Sequence, residues 1–321
     1  MIAFVGVRLT AIVDQIADRT GLGEALAGSI FLGAATSLSG IVVSTVAAYN
    51  GKPELAMSNA LGGIAVQTAF LAVADMFYRR ANLEHAAASV ANMMQCSLLL
   101  FLLSGLLLAS YTPEWTIMGV HPATPILFIS YVYGLRHANK LHDHPMWRPV
   151  ETSETKVDEP EPQTQTVSLW RLWLQFFLLA AIIGSAGWVL EGVASRLASV
   201  WGISHTAVGI LLTSVTTSLP ELVTSIAAVR RGALTLAVSG IIGGNAFDTL
   251  FAAVADIAYQ EGSIYHAIPD RVLFWTTLSI LMTAVVLMGL IRRERQGPGG
   301  IGFESAVVLM LYGFGVMMLA T

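Results

Sequence analysis

Thr217-Ser-Leu-Pro-Glu-Leu-Val-Thr-Ser225, followed by Gly243-Gly-Asn-Ala-Phe-Asp248, has an earlier twin in the same chain. The twin is Thr36-Ser-Leu-Ser-Gly-Ile-Val-Val-Ser44, followed by Gly62-Gly-Ile-Ala-Val-Gln67. One offset of 181 residues relates the two. Residues 36–75 laid on 217–256 share 19 identities in 40 without a gap, among them Gly51/Gly232, Ser58/Ser239, Thr68/Thr249 and Ala72-Val-Ala-Asp75/Ala253-Val-Ala-Asp256. Alanine, valine and leucine recur by chance in apolar helices. Glycines and hydroxyls held in one register do not, so the chain carries an internal duplication.

Around the duplication the chain is too apolar for a water-soluble surface. Of 321 residues 55% are apolar and 12% charged, with mean hydropathy +0.68. An average soluble domain has roughly 25% charged residues. A cytosolic enzyme, a nucleic-acid binder and a disordered chain are thereby excluded. The net charge of -4 implies no charged partner, and the single cysteine, Cys96, excludes a disulfide framework and any Cys-based metal site. Apolar blocks long enough to cross a bilayer fall at 24–48, 54–78, 86–109, 118–135, 172–195, 206–229, 233–258, 271–291 and 300–320. A tenth, shorter candidate is Ile2 to Ile16, which lacks the pattern of a signal peptide.

The repeats begin in the second and seventh spans. Five spans, an odd number, separate equivalent helices, so the two copies face opposite ways across the membrane. Inverted repeats of this kind mark many secondary transporters, with a midplane site between the copies. The expected fold is an all-α integral membrane protein of ten transmembrane helices in two inverted five-helix repeats. The expected divisions are a first half at 1–135 (repeat at about 28–75), a linker at 136–171 and a second half at 172–321 (repeat at about 209–256). With the N-terminus outside, 13 of the 17 Lys and Arg fall in inner segments and only Lys52, Arg196 and Arg271 in outer ones. That is a positive-inside distribution, which makes the acidic, Pro-containing linker cytoplasmic; the expected location of such a protein is a plasma (bacterial inner) membrane. By the offset Met1 falls on Ile182, inside the sixth span, so the first span is about ten residues short of its partner. Either the start is set too late, or the first helix is a short interfacial one with an amphipathic face of Val5, Leu9, Ile12 and Ile16.

The chemistry sits inside the repeats. Glu221 lies near the middle of its span, where a lone carboxylate costs about 2.5–3.5 kcal/mol on insertion scales, so it faces a cavity and acts there. Pro220 removes a backbone donor and predicts a break or kink beside it. Carbonyls freed near Thr217, Ser218 and Glu221 give an all-oxygen environment, which suits hard cations such as Na⁺, Ca²⁺ and Mg²⁺. In the next span Gly243-Gly244 allow close backbone approach, and Asn245 and Asp248, three apart, share one helix face.

Taken together, Thr217-Ser-Leu-Pro-Glu221 and Gly243-Gly-Asn-Ala-Phe-Asp248 resemble the α-repeats of the cation/Ca²⁺ antiporter superfamily, the sodium/calcium exchangers. The resemblance covers nearly the whole chain and implies one central cluster of cation sites dominated by two glutamates. It implies Thr217, Ser218, Glu221 and Asp248 as cation ligands, with Ser214 offering its carbonyl. Gly244 stands where some members have a ligating serine. The implied function is secondary active antiport of Ca²⁺ or another hard cation against Na⁺ or H⁺, by the first and sixth spans moving against the ligand bundle. The protein would then be no enzyme and need no cofactor, with small inorganic cations and membrane lipid as its partners.

The first repeat departs from that pattern. Ser39-Gly40 replaces Pro-Glu, Gln67 stands where the second repeat has Asp248, and Ile64 where it has Asn245. Thr36, Ser37, Ser39 and Gln67 offer only neutral oxygens. Two carboxylates neutralise one Ca²⁺ or two Na⁺ but not three Na⁺. A non-transporting paralogue with a degenerate site is the alternative. A third class, an intramembrane hydrolase using Ser218 or Ser39, lacks a histidine in either repeat core.

Other candidates read as structural. Asp75 and Asp256 fall near opposite membrane faces and suit interfacial or capping roles. His137, His142 and His144 read as a solvated loop rather than a regulatory metal site. Trp170, Trp173 and Trp188 suit interfacial belts or packing, and Met93-Met94 beside Cys96 reads as an apolar stretch.

Overall fold

The computed structural model describes residues 2–20, 36–78, 80–143, 146–150, 152, 168–297 and 301–319. Among the described residues ten longer helical segments, besides a short turn of helix at Leu83–Ala86, order the chain. They are α1 (Ile2–Thr20), α2 (Leu38–Tyr49), α3 (Pro53–Asp75), α4 (Val90–Ala109) and α5 (Ala123–Asp143) in the first half. The second half has α6 (Leu169–Trp201), α7 (His205–Arg231), α8 (Leu234–Ala258), α9 (Asp270–Arg292) and α10 (Phe303–Met317). The first part of the 24–48 span and half of the linker lie outside the described residues.

The sequence offset reappears in the helix ends. Thr20 and Trp201 close α1 and α6, and Pro53 and Leu234 open α3 and α8, each pair 181 apart. Hydrogen bonds repeat as well. Ser44 Oγ donates to the Ala56 carbonyl (2.9 Å), as Ser225 Oγ does to that of Ala237 (3.2 Å). Asp75 accepts from the Leu83 and Gly302 amides (2.6 and 2.9 Å), and Asp256 accepts from those of Ile264 and His121 (3.1 and 2.8 Å). These are equivalent positions throughout. The two aspartates tie the loop after α3 or α8 to the chain entering α10 or α5, as capping residues do.

α3 and α8 are buried on nearly all sides, as expected of helices without a polar face. They pack on each other, with α4, α9 and α10 outside them. Leu55, Met57, Leu61 and Ile64 of α3 join Ala246, Leu250 and Ala253 of α8 in one apolar cluster, while Ala65, Ala69 and Leu71 join Leu234, Val238, Ile241 and Ile242 in the other. Each helix changes cluster near its middle, and the polar residues of the repeats sit at that change.

Several boundaries differ from the sequence reading. The 118–135 span begins only at Ala123, because Ile117 and Val120 close a tight turn with Met118 at φ 54° and Gly119 at φ 84°, and it runs on to Asp143. α6 has 33 residues, about 50 Å of helix against a hydrocarbon core of about 30 Å, so it is tilted or projects from the bilayer. In α1 the apolar face of Val5, Leu9, Ile12 and Ile16 is buried, with the helix packed on α6 and the second piece of α7. Its apolar face therefore packs on protein.

Pro220 does not kink a continuous helix. α7 consists of a first turn, a π-helical stretch at Val208–Thr213, a short α-helical piece at Ser214–Thr217 and a second piece at Leu219–Arg231. The break is at Ser218 (φ -91°, ψ 0°), and Pro220 sits in the first turn of the second piece, where a missing N–H leaves nothing unpaired. Ser37 has almost the same conformation (φ -76°, ψ -5°) at the start of α2, with no proline nearby.

A candidate cation site between the helix breaks

The site is built where α3 and α8 cross. Asn245 Nδ2 of α8 donates to the Ile64 carbonyl (3.4 Å) and to Thr68 Oγ1 (3.0 Å). Gln67 Nε2 of α3 donates to Asp248 Oδ2 at 2.7 Å. Ile64/Asn245 and Gln67/Asp248 are repeat equivalents, so the pseudo-two-fold axis passes between them.

The break at Ser218 and the start of α2 face this crossing. Gln67 Nε2 also donates to Ser218 Oγ (3.1 Å), and Ser37 Oγ donates to Glu221 Oε1 (3.3 Å). Thr36 hydrogen-bonds the Glu221 carboxylate too, and Ser37 reaches that of Asp248. Ser39 Oγ donates to the Thr217 carbonyl (3.4 Å), one of the carbonyls released at the break. Asn59 Nδ2 donates to the Gly40 carbonyl (3.1 Å) and to Ser44 Oγ (3.0 Å).

A small cavity of about 10 Å³, room for about one water, lies among these groups, lined by Ser37, Gly40, Asn59, Gly63, Gln67, Thr217, Ser218, Glu221, Asp248 and Phe251. Its lining holds two carboxylates and no Lys, Arg or His. Asn59 Oδ1, Gln67 Oε1, Glu221 Oε2 and Asp248 Oδ1 are all buried without a hydrogen-bond partner. Buried acceptors are rarely left so, and here four oxygens in one lining, two of them from carboxyl groups, lack a donor. Such a set is suited to a hard cation.

Six of the residues expected from sequence line this cavity: Ser37, Gln67, Thr217, Ser218, Glu221 and Asp248. Thr36 stands behind Glu221. Ser214 is apart: its carbonyl accepts from the Ser218 amide (2.9 Å) and Thr217 Oγ1 (3.2 Å), and its hydroxyl bonds the Ile210 carbonyl. Asn245 braces the helix crossing rather than the cavity. Asn59, Gly63 and Phe251 were not anticipated. Asn59, Gly63 and Gln67 stack at a spacing of four on one face of α3, a pattern that sequence reading could have used. Among the described residues no three His, Cys, Asp or Glu are grouped to hold a metal. His137 bonds the Tyr133 carbonyl (2.9 Å), while the His142 side chain and His144 fall outside the described residues.

The family profile described as sodium/calcium exchanger protein matches residues 1–135 and 170–321. A putative antiporter, CaxA, of Alkalimonas amylolytica is 26% identical over 292 residues, 90% of this chain and 87% of the relative. The inner membrane protein YrbG of Escherichia coli is 25% identical over 320 residues, covering 96% of this chain and 89% of the relative. A solved structure of the sodium-calcium exchanger NCX_Mj superposes with TM-score 0.66 at 16% identity, over 98% of this chain and 94% of that one. At that identity the likeness is one of fold: ten helices in two inverted repeats.

Proposed function

Because the chain belongs to the sodium/calcium exchanger family, we propose that it is a secondary active antiporter exchanging Ca²⁺ or another hard cation against Na⁺ or H⁺ by alternating access. The observation that carries this reading is the set of four unpartnered buried oxygens in one lining. Glu221 and Asp248 hold the charge. Ser37, Gln67, Thr217 and Ser218 supply neutral oxygens, and Thr36 orients Glu221. α1 and α6 move against this bundle: α1 rests on the second piece of α7, and α6 rests on α2, so either can reach the break at Ser218 or the start of α2.

The basic residues support an orientation with the N-terminus outside and the 136–171 loop in the cytoplasm, between halves at 1–135 and 172–321; the membrane of this reading is a plasma or bacterial inner membrane. Loss of the first-repeat glutamate, replaced by Gly40, favours one other reading, a non-transporting paralogue. Ion flux in proteoliposomes under imposed Na⁺ or pH gradients separates the two. Glu221→Gln keeps the shape and removes one charge. Flux is expected to vanish in this variant while its elution profile in detergent stays that of wild type. Equal flux in wild type and variant would refute the assignment of Glu221.

A further inference from the structure

Gly40 is the repeat equivalent of Glu221, and the place its side chain would take is already filled. A Cβ built on Gly40 would lie 2.7 Å from Cε2 of Phe251, with two further ring atoms at 3.4 and 3.6 Å. Real carbons do not approach so closely. The ring cannot easily swing away. Phe251 is buried, and it packs edge to face on Phe247 (centroids 6.1 Å apart), which packs the same way on Tyr131 (6.1 Å).

Phe251 lies one turn beyond Asp248 on α8, and both line the cavity with Gly40. The ring therefore occupies the side of the cavity that faces α2. Its own repeat equivalent, Phe70, is partly exposed, packs with an apolar cluster and does not line the cavity. The pairing crosses the halves: the second half supplies both the carboxylate, Glu221, and the inserted ring, Phe251, while the first half has Gly40 and the withdrawn Phe70.

We propose that Phe251 sets the capacity of the site: its ring fills the Gly40 side of the cavity and excludes a further cation there. The proposal rests on the antiporter reading and names the residue that limits how many ions it binds. Gly40 is required because Phe251 is present, and the two positions are coupled.

The test is cation binding to the purified full-length protein in detergent, with ⁴⁵Ca²⁺ as probe and Na⁺ as competitor. Gly40→Ala is expected to weaken Ca²⁺ binding by about 10-fold or more, the usual consequence of forcing a methyl group into a packed wall. Adding Phe251→Ala should restore it. Gly40→Glu with Phe251→Ala supplies both space and charge. The Hill coefficient for Na⁺ competition should rise by about one in that double variant, since the coefficient is bounded by the number of sites.

Gly40→Ala binding with wild-type affinity, or an unchanged Hill coefficient in a folded Gly40→Glu/Phe251→Ala protein, would overturn the proposal. Should that double variant not fold, Phe251→Ala alone decides. A widened site takes Ba²⁺ better relative to Ca²⁺, and an unchanged Ba²⁺/Ca²⁺ ratio refutes the role of the ring. A wild type that binds neither Ca²⁺ nor Na⁺ would instead bring down the antiporter reading, and this proposal with it. Binding that is lost in Glu221→Gln but insensitive to Phe251 would defeat the capacity proposal alone.

Discussion

The bond from Gln67 Nε2 to Asp248 Oδ2, 2.7 Å long, joins two equivalent residues of opposite halves. One is a carboxylate and the other its neutral counterpart, so the amide donates where a second carboxylate would repel. Gln67→Glu replaces that donor with an oxygen. At an effective dielectric of about 20, two like charges about 4 Å apart repel by on the order of 4 kcal/mol. Without cations the variant should therefore melt several degrees below wild type in detergent at pH 8. Saturating Ca²⁺ should raise its melting temperature by more than it raises that of wild type, because the ion relieves the repulsion as well as binding. A Ca²⁺-induced rise no larger than wild type's would contradict this account, and Gln67→Leu serves as the uncharged control. At this scale sequence reading found what residue type reveals: Glu221, Asp248, Thr217, Ser218, Ser37 and Gln67 are polar groups at mid-span. Asn59 and Phe251 escaped it for different reasons. The equivalent of Asn59 is Gly240, so the repeat offered no hint. Phe251 and Phe70 match in sequence, and only tertiary packing places one in the cavity and the other outside it.

Among the elements, the offset of 181 carried the helix starts and the hairpin bonds, since two copies of one pattern fold alike. Ser37 takes nearly the backbone angles of Ser218, although no proline follows it closely. The π-helical stretch of α7 was hidden. The turns after α3 and α8 show the opposite case, a matched frame with altered chemistry. Glu84 and Tyr265 are equivalent: Ser305 Oγ donates to Glu84 (2.9 Å), and Thr124 Oγ1 shares a 2.8 Å hydrogen bond with the Tyr265 hydroxyl. Asp75 and Glu304 add negative charge around Glu84, and Arg292 lies 3.6 Å from Glu304. Burial, and secondarily the charge of Asp75, push the Glu84 carboxyl up from 4.5 to about 7. The folded state then binds more protons than the unfolded one between about pH 4.5 and 7, so stability falls as pH rises through that window and levels off above it. Glu84→Gln should remove this part of the slope. Melting temperatures of wild type and variant measured from pH 4.5 to 8.5 check it: the curves should diverge in favour of the variant as pH rises, and parallel curves would exclude Glu84 as the source.

At the scale of the whole molecule, both carboxylates of the cavity come from the second half, and the first half contributes neutral oxygens only. Charge balance then constrains the transport cycle. A bare charge carried to the middle of a bilayer is opposed by a penalty of several kcal/mol per ion even after relaxation, so loaded states are expected to be close to neutral. Two carboxylates match one Ca²⁺, two Na⁺, two H⁺, or one Na⁺ with one H⁺. Any exchange between these loads moves no net charge. A three-for-one exchanger moves one charge per cycle, which a potential of 100 mV drives with about 2.3 kcal/mol, equivalent to about a 50-fold change in the Ca²⁺ ratio at steady state. The prediction is that proteoliposomes with fixed Na⁺ and pH gradients reach the same Ca²⁺ ratio with and without a 100 mV potassium diffusion potential. A shift approaching 50-fold would show that one charge crosses per cycle, and that groups beyond Glu221 and Asp248 compensate the cations in transit.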